Sequence, residues 1–159
     1  MLENILCSTD CAVCQMCCKF EPDELIDAPT FSKDEMMKAI AKKDGLLFIK
    51  KGNVYQIVLE PWGEKYICPL LTRVGCILNN ERPFDCKSWP FYVMKKGEKY
   101  IVTLTEDCPV VSKKPMEIIS SCIDNAFLDQ CKIIISKYPD MITDYNRNMT
   151  ILYEFDDKI

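Results

Sequence analysis

The chain has 159 residues, is 48% hydrophobic and carries a formal net charge of −4, with 11 cysteines and no histidine. That length and apolar content suffice for a single small domain over residues 1–159 with its own core. The missing histidine excludes Ser-His-Asp triads, Cys-His nucleophile pairs and histidine-ligated metals, and the acidic balance argues against nucleic acid or an anionic membrane as a partner.

Met1 to Asp10 holds Glu3 and Asp10 without a basic residue, so no signal peptide is expected. No apolar run approaches the roughly 20 residues that cross a bilayer. A chain of this size does not need a disulfide framework, so its thiols are expected to be reduced and the protein cytoplasmic. There is no Walker or dinucleotide-binding glycine loop to cradle a phosphate.

In chain order, Cys11 to Phe20 reads as either a short helical turn or a cluster-wrapping loop, limited by Pro22. Ser32 with Glu35 three residues on makes a capping box for a helix over about 33–43, with Gly45 as its stop. Asp34 and Glu35 read as a solvated helix start and not as an acid-base pair. Leu46 to Ile49 and Val54 to Leu59 flank Gly52-Asn53 as a hairpin, Tyr66 and Ile67 suggest a further short strand, and Phe91 to Met94 with Tyr100 to Leu104 form a second hairpin around Gly97. Lys50, Lys51, Lys95 and Lys96 fall at these tips as solvated charges.

Met116 to Tyr138 keeps a helical apolar stripe, ended by Pro139, and predicts one long C-terminal helix. Met149 to Phe155 alternates as a strand. The fold class is therefore α+β: short antiparallel hairpins, an N-terminal cysteine-rich turn or helix, and a long C-terminal helix around a metal site. A cysteine-cluster core spans about 7–110, with the C-terminal helix and tail over about 113–159.

The chemistry is concentrated in the cysteines. Cys11, Cys14, Cys17 and Cys18 lie within eight residues, followed by Cys68-Pro69, Cys76-Ile77, Arg82-Pro83-Phe84-Asp85-Cys86 and Cys108-Pro109. Thiolates at such spacings select zinc, Cu(I) or iron-sulfur clusters over harder ions. On a helix Cys11, Cys14 and Cys18 share one face and Cys17 turns away. In a loop, Cys11, Cys14 and Cys17 can instead take three corners of a cluster. The fourth ligand then comes from elsewhere. Cys86 is the first candidate, because Pro83 favours a helix start that aims amides at sulfur, and Cys68 is the next.

A tetrathiolate site carries a formal charge of −2 that Arg82 can offset, its other reading being a surface pair with Glu81 or Asp85. Cys122 and Cys131, nine residues apart and half a turn out of phase, read as core. Cys7 reads as a semi-exposed thiol or an extra ligand. Trp62, Trp89, Phe91 and Tyr92 read as core, or as walls that shield a cluster from water.

This order of motifs resembles the YkgJ-like CxxCxxCC family, described as a zinc- or iron-chelating domain, and covers the first two thirds of the chain. It differs at Gln15, where members commonly carry glycine, and at Lys87, where many carry arginine. The resemblance implies a metal held by thiolates from the pool Cys11, Cys14, Cys17, Cys18, Cys68, Cys76, Cys86 and Cys108. A related cysteine motif in flagellin lysine methylases favours iron-sulfur, such as a 4Fe-4S cluster, over zinc by analogy. The implied role is electron transfer or support of a protein-modification enzyme as partner, with a zinc-stapled interaction module or a metal-dependent modification enzyme as the alternatives.

Overall fold

The structure is a computed structural model that describes residues 5–6, 8–145 and 148–156; Cys7 lies outside the described residues. The chain divides into two compact units, Cys7–Lys87 and Ser88–Ile159 together with Met1–Leu6. Helices and short sheets alternate in a mixed α/β arrangement with a C-terminal helix. No described helix is long and apolar enough to cross a membrane.

The cysteine-rich unit runs α1 (Ser8–Cys14), β1 (Lys19–Phe20), β2 (Thr30–Phe31), α2 (Lys33–Lys42), β3 (Phe48–Lys51), β4 (Val54–Ile57), β5 (Glu60–Trp62), β6 (Lys65–Ile67), β7 (Leu71–Thr72), β8 (Gly75–Cys76) and α3 (Phe84–Ser88). Helix α2 begins at the expected box: Ser32 accepts the Glu35 amide, and the Glu35 carboxylate accepts the Ser32 amide at 2.8 Å. The Gly52-Asn53 hairpin forms as β3 and β4, with Phe48 opposite Ile57 and Lys51 opposite Val54.

The strands make three small antiparallel sheets, β1-β6-β5, β2-β4-β3 and β7-β8. Strands this short cannot hold themselves. They are anchored by one apolar cluster that includes Phe20, Phe31, Ala39, Ile57, Leu70 and Leu78, with Cys68 inside it and Cys18 and Cys76 packed against it. The first consequence for function is that three of the expected ligands belong to the same packed layer.

The second unit is built from longer elements: β9 (Phe91–Lys96), β10 (Lys99–Leu104), α4 (Met116–Ser120), α5 (Asn125–Lys137), β11 (Thr143–Asp144) and β12 (Thr150–Glu154). The hairpin around Gly97 is in register over six pairs, from Lys99 opposite Lys96 to Leu104 opposite Phe91. β12 adds antiparallel to β10. The sheet is not purely antiparallel, because β11 pairs with β9 in parallel.

The long C-terminal helix is interrupted. The Asp124 carboxylate accepts the Phe127 amide at 2.7 Å, a donor that an unbroken helix would direct at Ile123, so the chain restarts as α5 behind a side-chain cap. The apolar stripe survives the break: Phe127, Leu128, Cys131, Ile134 and Ile135 are buried, and Phe91 meets Phe127 edge-on at 5.8 Å between ring centroids.

Candidate metal centre

The N-terminal cysteine motif is a helix followed by a turn. Helix α1 stops at Cys14 because Gln15 takes the left-handed conformation, with φ 56°, the position at which glycine is ordinarily favoured. The Gln15 side chain compensates locally, its Nε2 donating to the Ala12 carbonyl at 2.9 Å. The Gln15 amide donates to Cys11 and the Gln15 carbonyl accepts the Cys18 amide, folding Met16–Cys18 into one 3-10 turn. Cys17 and Cys18 therefore leave the helix axis, and neither helix-face nor ferredoxin-loop spacing describes the whole motif.

The Cys68 amide donates to the Cys18 carbonyl at 2.9 Å, extending the β1–β6 ladder by one residue. Cys18 and Cys68 are thus cross-strand neighbours. α1 lies against β8, and a Cβ built on Gly75 would come within 3.2 Å of the Ala12 Cβ. This close approach brings the helix carrying Cys11 and Cys14 against the strand carrying Cys76.

Cys68, Cys76 and Cys86 each sense the charge of Cys17, and Cys86 also senses Cys68 and Cys76. The Cys17 thiol is pushed far above its ordinary value, first by its hydrogen bond with Cys18 and then by burial, while Arg82 pulls it down. Burial raises Cys68 from 9.0 to about 12, and the neighbouring Cys76 and Cys17 add to it. Cys76 is raised by burial and by Cys17. Cys86 is raised well above 9.0 by burial, then by Asp85, Cys68, Cys17 and Cys76. Without a cation these sulfurs hold their protons at neutral pH, because loss of several would gather like charges in a desolvated place.

Opposing that repulsion is a set of donors aimed at sulfur. The Leu70 amide donates to the Cys68 sulfur across Pro69. The Leu78 and Asn79 amides donate to the Cys76 sulfur, in a turn that places Asn79 at φ 48°. Arg82 favours the charged form of both Cys17 and Cys76, and its Nε is steadied by the Asn79 carbonyl at 3.0 Å. Its expected surface partners are engaged elsewhere: Glu81 pairs with Lys42 at 3.1 Å, and Asp85 accepts from Thr30. Amides and a guanidinium turned toward sulfur are what a thiolate needs and a packed, inert thiol does not.

The remaining members of the pool divide. Cys11 and Cys14 are partly exposed on α1. Cys108 is buried in the second unit, where its carbonyl accepts the Ser112 amide. Cys122 and Cys131 are buried there too, Cys131 raised to about 12 by burial with no second thiol among its causes. Trp62 does not wall the thiols. It is 53% exposed, with the Lys19 ammonium 5.4 Å from its ring centroid. Phe91 is core, and Trp89 and Tyr92 stack edge-on at 5.6 Å.

No three Cys, Asp or Glu side chains among the described residues stand ready-made around a metal position. Thiols with amide and guanidinium support are of the type that suits a thiophilic metal, and binding one would require their deprotonation. Sequence spacing did not reveal the amide donors, although Cys-Pro-Leu and Cys-Ile-Leu-Asn are the short turns that supply them. It also read Glu35 as solvated, whereas both of its carboxylate oxygens are engaged by backbone amides. No family model, curated protein or solved structure matches the chain.

Proposed function

We propose that the cysteine-rich unit is a metal-binding module that holds an iron-sulfur cluster, or zinc, through Cys17, Cys68, Cys76 and Cys86. The observation that carries this reading is that Cys68, Cys76 and Cys86 each sense the charge of Cys17, while amides support the Cys68 and Cys76 sulfurs and Arg82 favours the charged form of Cys17 and Cys76. Cys18, hydrogen-bonded to Cys17, is the neighbouring reserve thiol. Cys11, Cys14 and Cys108 complete the wider pool that the sequence pattern implies.

The residues have distinct tasks. Cys68 and Cys76 arrive on turns whose own amides stabilise the thiolate, so they are the ligands that deprotonate at least cost. Cys17 and Cys86 have less local support and are the ones whose proton loss depends on the incoming cation. Arg82 offsets the residual charge of a four-thiolate site. An iron-sulfur cluster, when bound, supplies one-electron chemistry. The biological role we propose is electron transfer, or support of a protein-modification enzyme as partner, in the cytoplasm.

A second reading rests on the shortness of the strands. β1, β2, β7 and β8 have two residues each, and a zinc ion bridging segments so far apart in sequence would staple them without redox chemistry. Metal and sulfide analysis with a visible spectrum, on protein purified without oxygen and without added metal, separates the two. Iron with sulfide and broad charge-transfer absorption supports the redox reading. Stoichiometric zinc in a colourless protein supports the staple, and a protein that binds neither metal refutes both.

A further inference from the structure

Cys86 is carried by α3, a helix of five residues, too short to hold its own position in water. Its place is set by two carboxylates outside its hydrogen-bond ladder. Asp85 Oδ2 accepts both the Thr30 amide, at 2.9 Å, and the Thr30 hydroxyl, at 3.0 Å, tying the second residue of α3 to β2. Glu35 Oε1 accepts the Phe84 amide at 2.9 Å, tying the first residue of α3 to the start of α2. The other oxygen of Glu35 accepts the Ser32 amide and the Ser32 hydroxyl, both at 2.8 Å. One carboxylate therefore closes the capping box of α2 and fastens α3.

These bonds leave little freedom at Cys86. The residue following Asp85 on a helix is turned by about 100° from it, so clamping Asp85 toward β2 fixes the direction in which the Cys86 side chain leaves the helix. Thr30 and Glu35 are both remote in sequence from α3, and their hydrogen bonds are shared with β2 and α2, which are anchored by Phe31 and Ala39 in the apolar cluster.

We propose that Asp85 and Glu35, through Thr30 and Ser32, are positioning residues that hold α3, and with it the Cys86 side chain, against β2 and α2. They are not ligands. The proposal deepens the metal-binding reading, on which its relevance to a metal rests, but its geometric content concerns the metal-free protein as well.

Two variants of the full chain test it. Asp85→Ala removes the clamp. Thr30→Val removes only the hydroxyl donor and keeps strand shape, so it serves if the first variant fails to fold. In chelator-treated protein, alkylation by iodoacetamide is followed at each cysteine by mass spectrometry, with Cys131 reporting general opening. Asp85→Ala also removes a charge that disfavours the Cys86 thiolate, so Thr30→Val, which leaves that charge in place, carries the test: Cys86 is expected to react about fivefold faster in it, the scale of one lost hydrogen bond, and faster still in Asp85→Ala, with Cys131 unchanged. Equal acceleration of Cys86 and Cys131, or no change at Cys86, overturns the proposal.

Cobalt(II) titration, read through thiolate-to-metal charge transfer, supplies the second arm. Asp85→Ala is expected to weaken cobalt binding about tenfold in the parent and to change nothing once Cys86→Ser is present. An equal loss in both backgrounds overturns the positioning role. A parent protein that takes up no cobalt, while Asp85→Ala still selectively exposes Cys86, refutes the metal reading and supports the clamp.

Discussion

Cys68 and Cys131 are both buried and both raised to about 12, yet for different reasons. Cys131 lies on a 13-residue helix in a unit with two six-residue strands, and burial raises it against its own backbone amide, with no other thiol contributing. Cys68 lies in a unit of two- to four-residue strands, and its acidity is set by burial first, then by an amide donor to its sulfur and by two other thiols. Burial of a thiol by itself makes a small hydrophobe. Burial beside other thiols, with amide support at sulfur, is the setting in which we propose that a metal cation replaces protons.

Serine in place of Cys68, Cys76 or Cys86 should reduce bound metal from one centre per chain to near zero, whereas Cys122→Ser and Cys131→Ser should leave it unchanged, as measured by metal analysis of the purified variants. Loss of metal from the Cys131 variant would place the centre elsewhere.

The pH dependence of the metal-free protein sharpens the comparison. Below pH 9 both thiols carry a proton whether the chain is folded or unfolded. Between about 9 and 12 the unfolded chain releases protons that the folded chain retains. Stability should therefore fall as pH rises through that window, by about 1.4 kcal/mol per pH unit for each such thiol. Denaturant titrations from pH 8 to 11 should show a shallower decline in Cys131→Ala. Metal loading should remove the Cys68 share and not the Cys131 share, since a ligated sulfur no longer holds a proton in the folded state. The loaded protein should lose its metal on acidification, as protons return to the thiolates.

Local features were legible in the sequence and long-range ones were not. The Ser32–Glu35 box and the hairpins around Gly52 and Gly97 are set by residues within four or five positions of each other, and they stand where the sequence implies. The break before α5 was hidden because the apolar stripe continues through Ile123, although Asp124 three residues before Phe127 was a visible cap. The parallel pairing of β11 with β9 has no local signal at all.

At the candidate site, the proposed thiols can be named from the sequence, whereas which of them share a layer cannot. Cys18, Cys68 and Cys76 share one apolar cluster because the β1–β6 ladder and the β7–β8 hairpin are assembled there. The carboxylates holding α3 are 55 and 49 residues from their donors. Spacing arguments along eight residues cannot detect them.

Turn glycines offer a smaller test of the same contrast between the units. Gly75 has φ 108° and faces the Ala12 Cβ at 3.2 Å, whereas Gly97 has φ 62° with nothing within 4 Å of an added Cβ. Gly97→Ala should cost only backbone strain, about 1 kcal/mol. Gly75→Ala adds displacement of α1 to a worse backbone position, and should cost about 2–3 kcal/mol. The discriminating readout is hydrogen exchange of α1, which should accelerate in Gly75→Ala and stay as in the parent in Gly97→Ala.

The smallest effect concerns Gln15, where two terms of similar size oppose each other. A non-glycine residue in the left-handed region costs about 1 kcal/mol, which Gln15→Gly would relieve. The same change deletes the Nε2 bond to the Ala12 carbonyl, worth about 1 kcal/mol. Gln15→Gly should therefore leave stability unchanged to within about 0.5 kcal/mol, while Gln15→Ala keeps the strain, loses the bond and should destabilise by about 1 kcal/mol. Denaturation of the three proteins decides it. Equal losses in both variants would mean that the side-chain bond alone holds the turn. A stabilised Gln15→Gly would mean that strain dominates, and that the glutamine is retained at this turn for a reason other than stability.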